Sequence, residues 1–194
     1  MIEREIKLLI SEPMFIDYMN KLNSLVVCKR ILQINYYFDT PDFQNYSLGR
    51  TLRIRQKDNQ LLLQYKYNKQ YSGFENMCNE FEIIVDTFPR DISSKDFPCN
   101  SMDMANLYRY VGNLVTERFE YTYAKTIISL DKNYYLGKCD YEIEIEFQDY
   151  KQAEDLLKLL SIEKTKSHGD GKYSRFVKEM LRLKNEILSR TQGQ

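Results

Sequence analysis

The segment Tyr141-Glu142-Ile143-Glu144-Ile145-Glu146-Phe147 constrains this chain more than any other. Side chains two residues apart share one face of a β-strand, so three glutamates fall on one face and the apolar or aromatic residues on the other. Carboxylates roughly 7 Å apart on one face repel, and each neighbouring strand adds more charge. For one such strand a solvated outer face is the ordinary explanation, but such faces favour Thr, Ser, Gln and Lys. Here the alternation recurs with Asp, Glu and Arg. Glu3, Glu5 and Lys7 share a face, opposite Ile2, Ile6 and Leu8. Arg53 and Arg55 lie opposite Leu52 and Ile54, and Gln64 shares a face with Lys66. Glu80 and Glu82 lie opposite Phe81 and Ile83, while Arg118 shares a face with Glu120 and Ser129 with Asp131.

Periodicity orders the elements. Strands are expected over 2–10, 31–39, 50–56, 60–67, 79–86, 116–123, 125–131 and 139–147. Pro13 opens a helix to Leu22, and Lys57-Asp58-Asn59 turns a hairpin. A short helical pattern runs through Met104, Leu107, Tyr108 and Val111. Amphipathic helices follow at 150–160 and 172–189, the second with Phe176, Val177, Met180, Leu181, Leu183, Ile187 and Leu188 on its apolar side. No linker or repeat interrupts the 194 residues, so one α+β domain over 1–194 is expected, its antiparallel sheet closed or nearly closed.

Composition narrows the function. Lys and Arg number 28 and so do Asp and Glu, which argues against a nucleic-acid protein working through overall positive charge. No apolar run is long enough to span a bilayer, and the acid-rich N-terminus is the reverse of a secretory signal. Cys28, Cys78, Cys99 and Cys139 are scattered, and His168 is the only histidine; a disulfide scaffold and a zinc site are both disfavoured. A cytoplasmic protein with reduced thiols is the expectation.

The charged faces make sense turned inward. A barrel of about eight strands can hold one small ligand, with its apolar faces outside under the helices. The candidate lumen contains the acids Glu3, Glu5, Glu80, Glu82, Asp131, Glu142, Glu144 and Glu146. Its bases are Lys7, Arg53, Arg55, Lys66, Arg118, Lys172 and Arg175. Clustered carboxylates suit Mg²⁺ or Mn²⁺, and clustered Arg and Lys suit a polyanion. Together they match a di- or triphosphate with its metal.

At this point the residues resemble a known family. Glu3-x-Glu5-x-Lys7 is similar to the E-x-E-x-K signature of the CYTH domain, the triphosphate tunnel metalloenzymes. Tyr37-Phe38-Asp39, Leu52-Arg53-Ile54-Arg55, Lys66, Glu80-x-Glu82, Arg118, Asp131, the Glu142/Glu144/Glu146 strand and Lys172-x-x-Arg175 follow in the family's order, over about residues 1–180. The resemblance implies an eight-stranded antiparallel barrel forming a tunnel with helices outside, and metal-dependent action on triphosphates. It implies that Glu3 and Glu5, with Glu144 and Glu146 or Glu142, hold the metal. Lys7, Arg53, Arg55, Lys66 and Arg118 would grip phosphate oxygens, and Lys172 and Arg175 would close over the chain. Glu80, Glu82 and Asp131 would complete the acidic side. Water would attack the terminal phosphorus in line, oriented by carboxylates.

The leading expectation is a triphosphatase acting on inorganic triphosphate or a small organic triphosphate, with an RNA 5′-triphosphate left open and no membrane partner. The alternatives are an adenylate cyclase in the same tunnel and a non-catalytic polyphosphate- or nucleotide-binding module. Gly171 stands where the family usually has Ser; His168-Gly169-Asp170-Gly171 reads as an entrance flap or as the cap region of the last helix, with Asp170 as N-cap. His168 is expected on an exposed loop. The many tyrosines are expected to pack under helices, with one or two free to stack on a base or thiazole.

Overall fold

The computed structural model describes residues 2–72, 75–93, 95, 107–123, 125–162 and 170–192. The strands are β1 (Ile2–Ile10), β2 (Cys28–Asp39), β3 (Thr51–Lys57), β4 (Gln60–Ser72), β5 (Glu75–Val85), β6 (Asp91–Ser93), β7 (Leu107–Tyr123), β8 (Thr126–Tyr135) and β9 (Lys138–Glu146). The helices are α1 (Glu12–Asn23), α2 (Gln44–Ser47), α3 (Tyr150–Leu159) and α4 (Lys172–Gln192). Neighbouring strands run in the order β2-β3-β4-β5-β1-β9-β8-β7, and β7 pairs back onto β2, so eight strands close a barrel. The pairings are antiparallel throughout. The short β6 adds to β7 from outside the closed circuit.

Local chemistry sets the corners. Ser11 caps α1, its hydroxyl accepting from the Met14 N–H, with Pro13 in the first turn. The β8–β9 loop is the two residues Leu136 and Gly137, both at positive φ, as a hairpin matching strand twist requires. The Asp39 carboxylate accepts from the backbone N–H groups of Thr40, Asn45 and Tyr46, which folds α2 back against the end of β2.

The apolar faces point outward, as the alternation required. Ile6, Leu8, Ile128, Leu130, Ile143 and Ile145 pack under α1 and α3 against Phe15, Tyr18, Leu22, Ala153, Leu156 and Leu157. Each such side chain contributes about 1.5–3 kcal/mol when fully buried. On the other side Phe38, Leu52, Ile54, Leu63 and Tyr65 are covered by Ile92 of β6 and Tyr108. A third cluster joins Tyr37, Leu114 and Tyr135 of the barrel to Tyr173, Phe176 and Val177 of α4. Gly112 makes that contact possible: a Cβ there would lie 2.4 Å from Phe176 Cζ.

Several expectations change. The helical pattern ending at Val111 is strand from Leu107 onward, because Arg109 and Tyr110 pair with Asp39 and Phe38 to close the barrel. Pairing with β2 and β6 overrides the local period; Met104 lies outside the described residues. β4 and β5 both extend beyond the expected 60–67 and 79–86, forming a longer hairpin whose register shifts between Tyr67 and Gln70. Ile187 and Leu188, expected on the buried side of α4, are exposed, because the last turns of the helix run past the barrel. Asp170 is not the N-cap of α4: the Gly171 carbonyl accepts from Arg175 N, while the Asp170 carboxylate pairs with Lys178. His168 and Gly169 lie outside the described residues. Cys28, Cys78 and Cys139 are free thiols, and Cys99 lies outside the described residues. No helix among the described residues is long and apolar enough to cross a membrane.

Candidate active site

The inward faces meet in a cavity of about 90 Å³ that opens to solvent at its mouth. Of the residues singled out in the sequence, Glu5, Lys7, Arg53, Arg55, Lys66, Arg118, Glu144, Glu146 and Lys172 line it. Asp131, Glu142, Glu80 and Glu82 are not in that lining and are bound to cations or an amide, and Arg175, also outside it, is bound to the Asp140 and Glu142 carboxylates. The backbone of Glu3 pairs with Cys78 on β5; its side chain lies outside the described part.

One wall, made by β7, β8, β9 and α4, is a closed network of ion pairs. Arg118 donates through Nε and Nη2 to the two Asp131 oxygens, at 2.8 and 2.7 Å, and through Nη2 to Glu144. Lys172 Nζ lies 2.7 Å from Asp131 Oδ2 and 2.8 Å from Glu144 Oε1, and also holds Glu142. Arg175 binds Asp140 at 2.8 Å and Glu142 at 2.7 Å. Lys7, on β1, bridges Glu5 and Glu144 at 2.9 Å each. Burial alone would lower the basic groups. For Lys7, Arg118 and Lys172 the facing carboxylates outweigh it, and all three are raised. Burial likewise opposes the ionised Glu144, but Lys172, Lys7 and Arg118 hold its carboxyl well below the usual range. Tyr173 donates to Asp39, which fixes the start of α4 where Lys172 reaches the acids.

The opposite wall, β3 and β4, is different. Arg53 Nε donates to Gln64 Oε1 at 2.7 Å, and Arg55 Nε to Asn35 Oδ1 at 3.0 Å. Lys66 lies 3.4 Å from Glu80. Burial, with the like charges of Arg53 and Arg118, pulls the Arg55 guanidinium down to about 9. Arg53 and Arg55 are oriented by neutral amides and are not neutralised by them, whereas Lys66 has Glu80.

Lys69 belongs to this wall and was missed by strict alternation. Gln64 and Lys66 point inward, so 69 would point out. The register shift after Tyr67, with Asn68 at φ +51°, changes the parity and puts Lys69 and Tyr71 in the cavity lining. Lys69 Nζ lies 3.5 Å from Thr51 Oγ1. Burial, then Lys7 and Lys66, pull its ammonium down to about 8. The one available signal was Asn68, a residue type that tolerates the left-handed region inside an otherwise regular strand. Among the described residues Tyr71 and Tyr173 both line the cavity; Tyr71 stays 59% exposed, whereas Tyr173, Tyr37 and Tyr65 are buried.

Two groups of carboxylates could attract a cation. Asp131, Glu142 and Glu144 bring oxygens within 4.8 Å of one another, but Lys172, Arg118 and Arg175 already sit on them. Glu5 and Glu146 face each other in register across β1 and β9, and both line the cavity with Glu144.

Known proteins share this architecture. The candidate triphosphatase YjbK of Bacillus subtilis is 32% identical over 136 residues, covering 67% of this chain and 72% of that protein. The structure of HpAC1 from Hippeastrum, a candidate adenylyl cyclase with a dominant triphosphatase activity, superposes with a TM-score of 0.73 at 25% identity, covering 91% of this chain and 96% of that one. A candidate adenylate cyclase from Bacillus halodurans gives 0.69 at 26% identity, covering 89% and 95%. The CYTH domain matches residues 1–176, and with its closed eight-stranded barrel this chain belongs to the CYTH family.

Proposed function

We propose that this chain hydrolyses a triphosphate, inorganic or bearing a small organic group, with Mg²⁺ or Mn²⁺. The observation that carries the reading is the unneutralised wall: Arg53, Arg55 and Lys69 rest on Gln64, Asn35 and Thr51. Half-enclosed cations without acids are costly, and a chain of phosphate oxygens compensates them. Arg53 and Arg55 present planar forks to those oxygens, Lys66 adds charge on the same wall, and Lys7, Lys172 and Arg118 add it from the other sides.

The donor set fits a hard divalent ion. Glu5 directly opposite Glu146 places like charges together, an unfavourable pair that a cation between them relieves. Glu5 and Glu146 would hold the ion, with Glu3 two residues along the same strand as Glu5; Glu144 borders them, held by Lys7, Arg118 and Lys172. When bound, the ion neutralises charge on the phosphate oxygens. Asp131 and Glu142 then serve as positioning residues: they hold Lys172 and Arg118 at the cavity wall, and Arg175 clamps Glu142 from behind. Glu82 orients Gln64, and through it Arg53. In the reaction water adds to the terminal phosphorus, the bridging P–O bond breaks and orthophosphate leaves. The guanidinium and ammonium groups stabilise the charge that develops.

Cyclisation of ATP is the second reading, favoured by the names of the Hippeastrum and Bacillus halodurans proteins. The dominant triphosphatase activity of the first favours hydrolysis. Incubation with inorganic triphosphate, ATP and thiamine triphosphate, each with Mg²⁺ and Mn²⁺, separates the two by product. Orthophosphate supports hydrolysis; cyclic AMP with pyrophosphate supports the cyclase. Folded protein that turns over none of them sinks both.

A further inference from the structure

We propose that Lys69 is a specificity-determining residue: its ammonium binds the outermost phosphoryl group and favours an unesterified triphosphate end over an esterified one. The inference rests on the triphosphate reading above and deepens it.

Position is the first argument. Lys69 borders the tunnel cavity and both recesses beside it, one lined by Tyr46, Arg50 and Asp170, the other by Asn68 and Asn79. It therefore stands in the opening. Its Nζ would lie 3.9 Å from a Cβ at position 171, an ordinary contact distance, which sets the ammonium beside the start of α4. On the α4 side the wall is Arg118, Glu144 and Lys172 locked together, and Tyr37 and Phe176 are buried in packing under α4. Lys69 borders the cavity and both recesses, so an organic substituent extending from this opening would put the esterified phosphoryl group beside it.

Charge is the second. Among the described residues no carboxylate lies within ion-pair distance of Lys69, and Thr51 is its one hydrogen-bond partner. Lys7 and Lys66 stand near enough to repel it, and outweigh the opposite pull of Cys78 and Glu5. An unesterified terminal phosphoryl group carries more negative charge than an esterified one, so this cation gains more from inorganic triphosphate than from ATP. The residue reaches the site only through the bulge at Asn68, so the discriminating charge is a feature of this hairpin's backbone.

The test is steady-state kinetics of wild type, Lys69→Met and Lys69→Arg on inorganic triphosphate and ATP. Lys69→Met should lower kcat/KM for inorganic triphosphate at least about tenfold, chiefly through KM, and for ATP less than about threefold. Lys69→Arg should retain the wild-type ratio within about threefold. Equal losses on both substrates, or no loss, overturn the inference while leaving the triphosphatase reading intact. Binding is read separately as the rise in melting temperature caused by inorganic triphosphate, which should shrink in Lys69→Met and persist in Lys69→Arg. A wild type that binds without turnover contradicts hydrolysis, and the binding comparison then decides Lys69 alone. Lys69→Met should melt no lower than wild type; a lower melting temperature with an unchanged substrate ratio marks a structural role and overturns the proposal.

Discussion

The two walls of the tunnel carry similar numbers of basic groups but use them oppositely. On the β7/β8/β9/α4 side Arg118, Lys172 and Arg175 are each held by two or more carboxylates. On the β3/β4 side Arg53, Arg55 and Lys69 are held by two amides and a hydroxyl. Ionisation follows the partner: Arg118 and Lys172 are raised, whereas Arg55 falls to about 9 and Lys69 to about 8. The lesson is that charge in a barrel lumen has two uses. Paired charge fastens a helix across the barrel end; unpaired charge waits for a ligand.

The largest effect that could break this contrast is on stability. Lys172→Met removes the cation shared by Asp131, Glu142 and Glu144, and removal of one partner from a buried ionic cluster costs roughly 3–5 kcal/mol. Denaturant unfolding should show that loss, with a far smaller one for Arg55→Met; equal losses would erase the distinction between walls. Activity should reverse the order of cause. Arg53→Ala and Glu5→Ala should each lower the rate of triphosphate hydrolysis at least about 10²-fold while the protein remains folded. Gly112→Ala should cost about 1–3 kcal/mol, because its methyl meets the Phe176 ring and lifts α4 from the barrel. Thermal unfolding reads it, and Phe176→Leu in the same chain should recover part of the loss.

The smallest effects concern pH. Glu144 and Asp131 are held low despite burial, so their contribution is complete above the ordinary carboxylate range and is lost as pH falls through the lowered values. Acid unfolding should therefore begin at the paired wall and shift to higher pH in Lys172→Met. Lys69 has the opposite sign. Its folded value near 8 lies below its ordinary one, so the cost of keeping it charged is full below about 8 and fades as pH rises toward the unfolded value. Affinity for triphosphate should decline as pH rises through about 8, and Lys69→Arg should move that decline upward.

Much of this contrast was legible in the residue order, and its limits have physical reasons. Period-two alternation revealed the inward charges because a strand cannot put Glu142, Glu144 and Glu146 on different faces. It could not rank them. Glu142 lies under Lys172 and Arg175 while Glu146 faces Glu5, a difference set by register with β1 and by the seat of α4. Lys172 and Arg175 were expected to close on phosphate; their positions were legible, but Asp140 and Glu142 as partners for Arg175 needed the fold. Lys69 was hidden by a bulge that inverts the parity on which the reading depended. The strand at Leu107–Val111 was hidden because its partner is the distant end of β2.

The most direct test of the unneutralised wall is thermal unfolding of the protein with and without inorganic triphosphate, in the presence of Mg²⁺ or Mn²⁺. The melting temperature should rise with ligand concentration in wild type and in Lys69→Arg, and that rise should be largely abolished in an Arg53→Ala, Arg55→Met double variant. A wild-type melting temperature indifferent to triphosphate, or an equal rise in the double variant, would contradict the unneutralised wall.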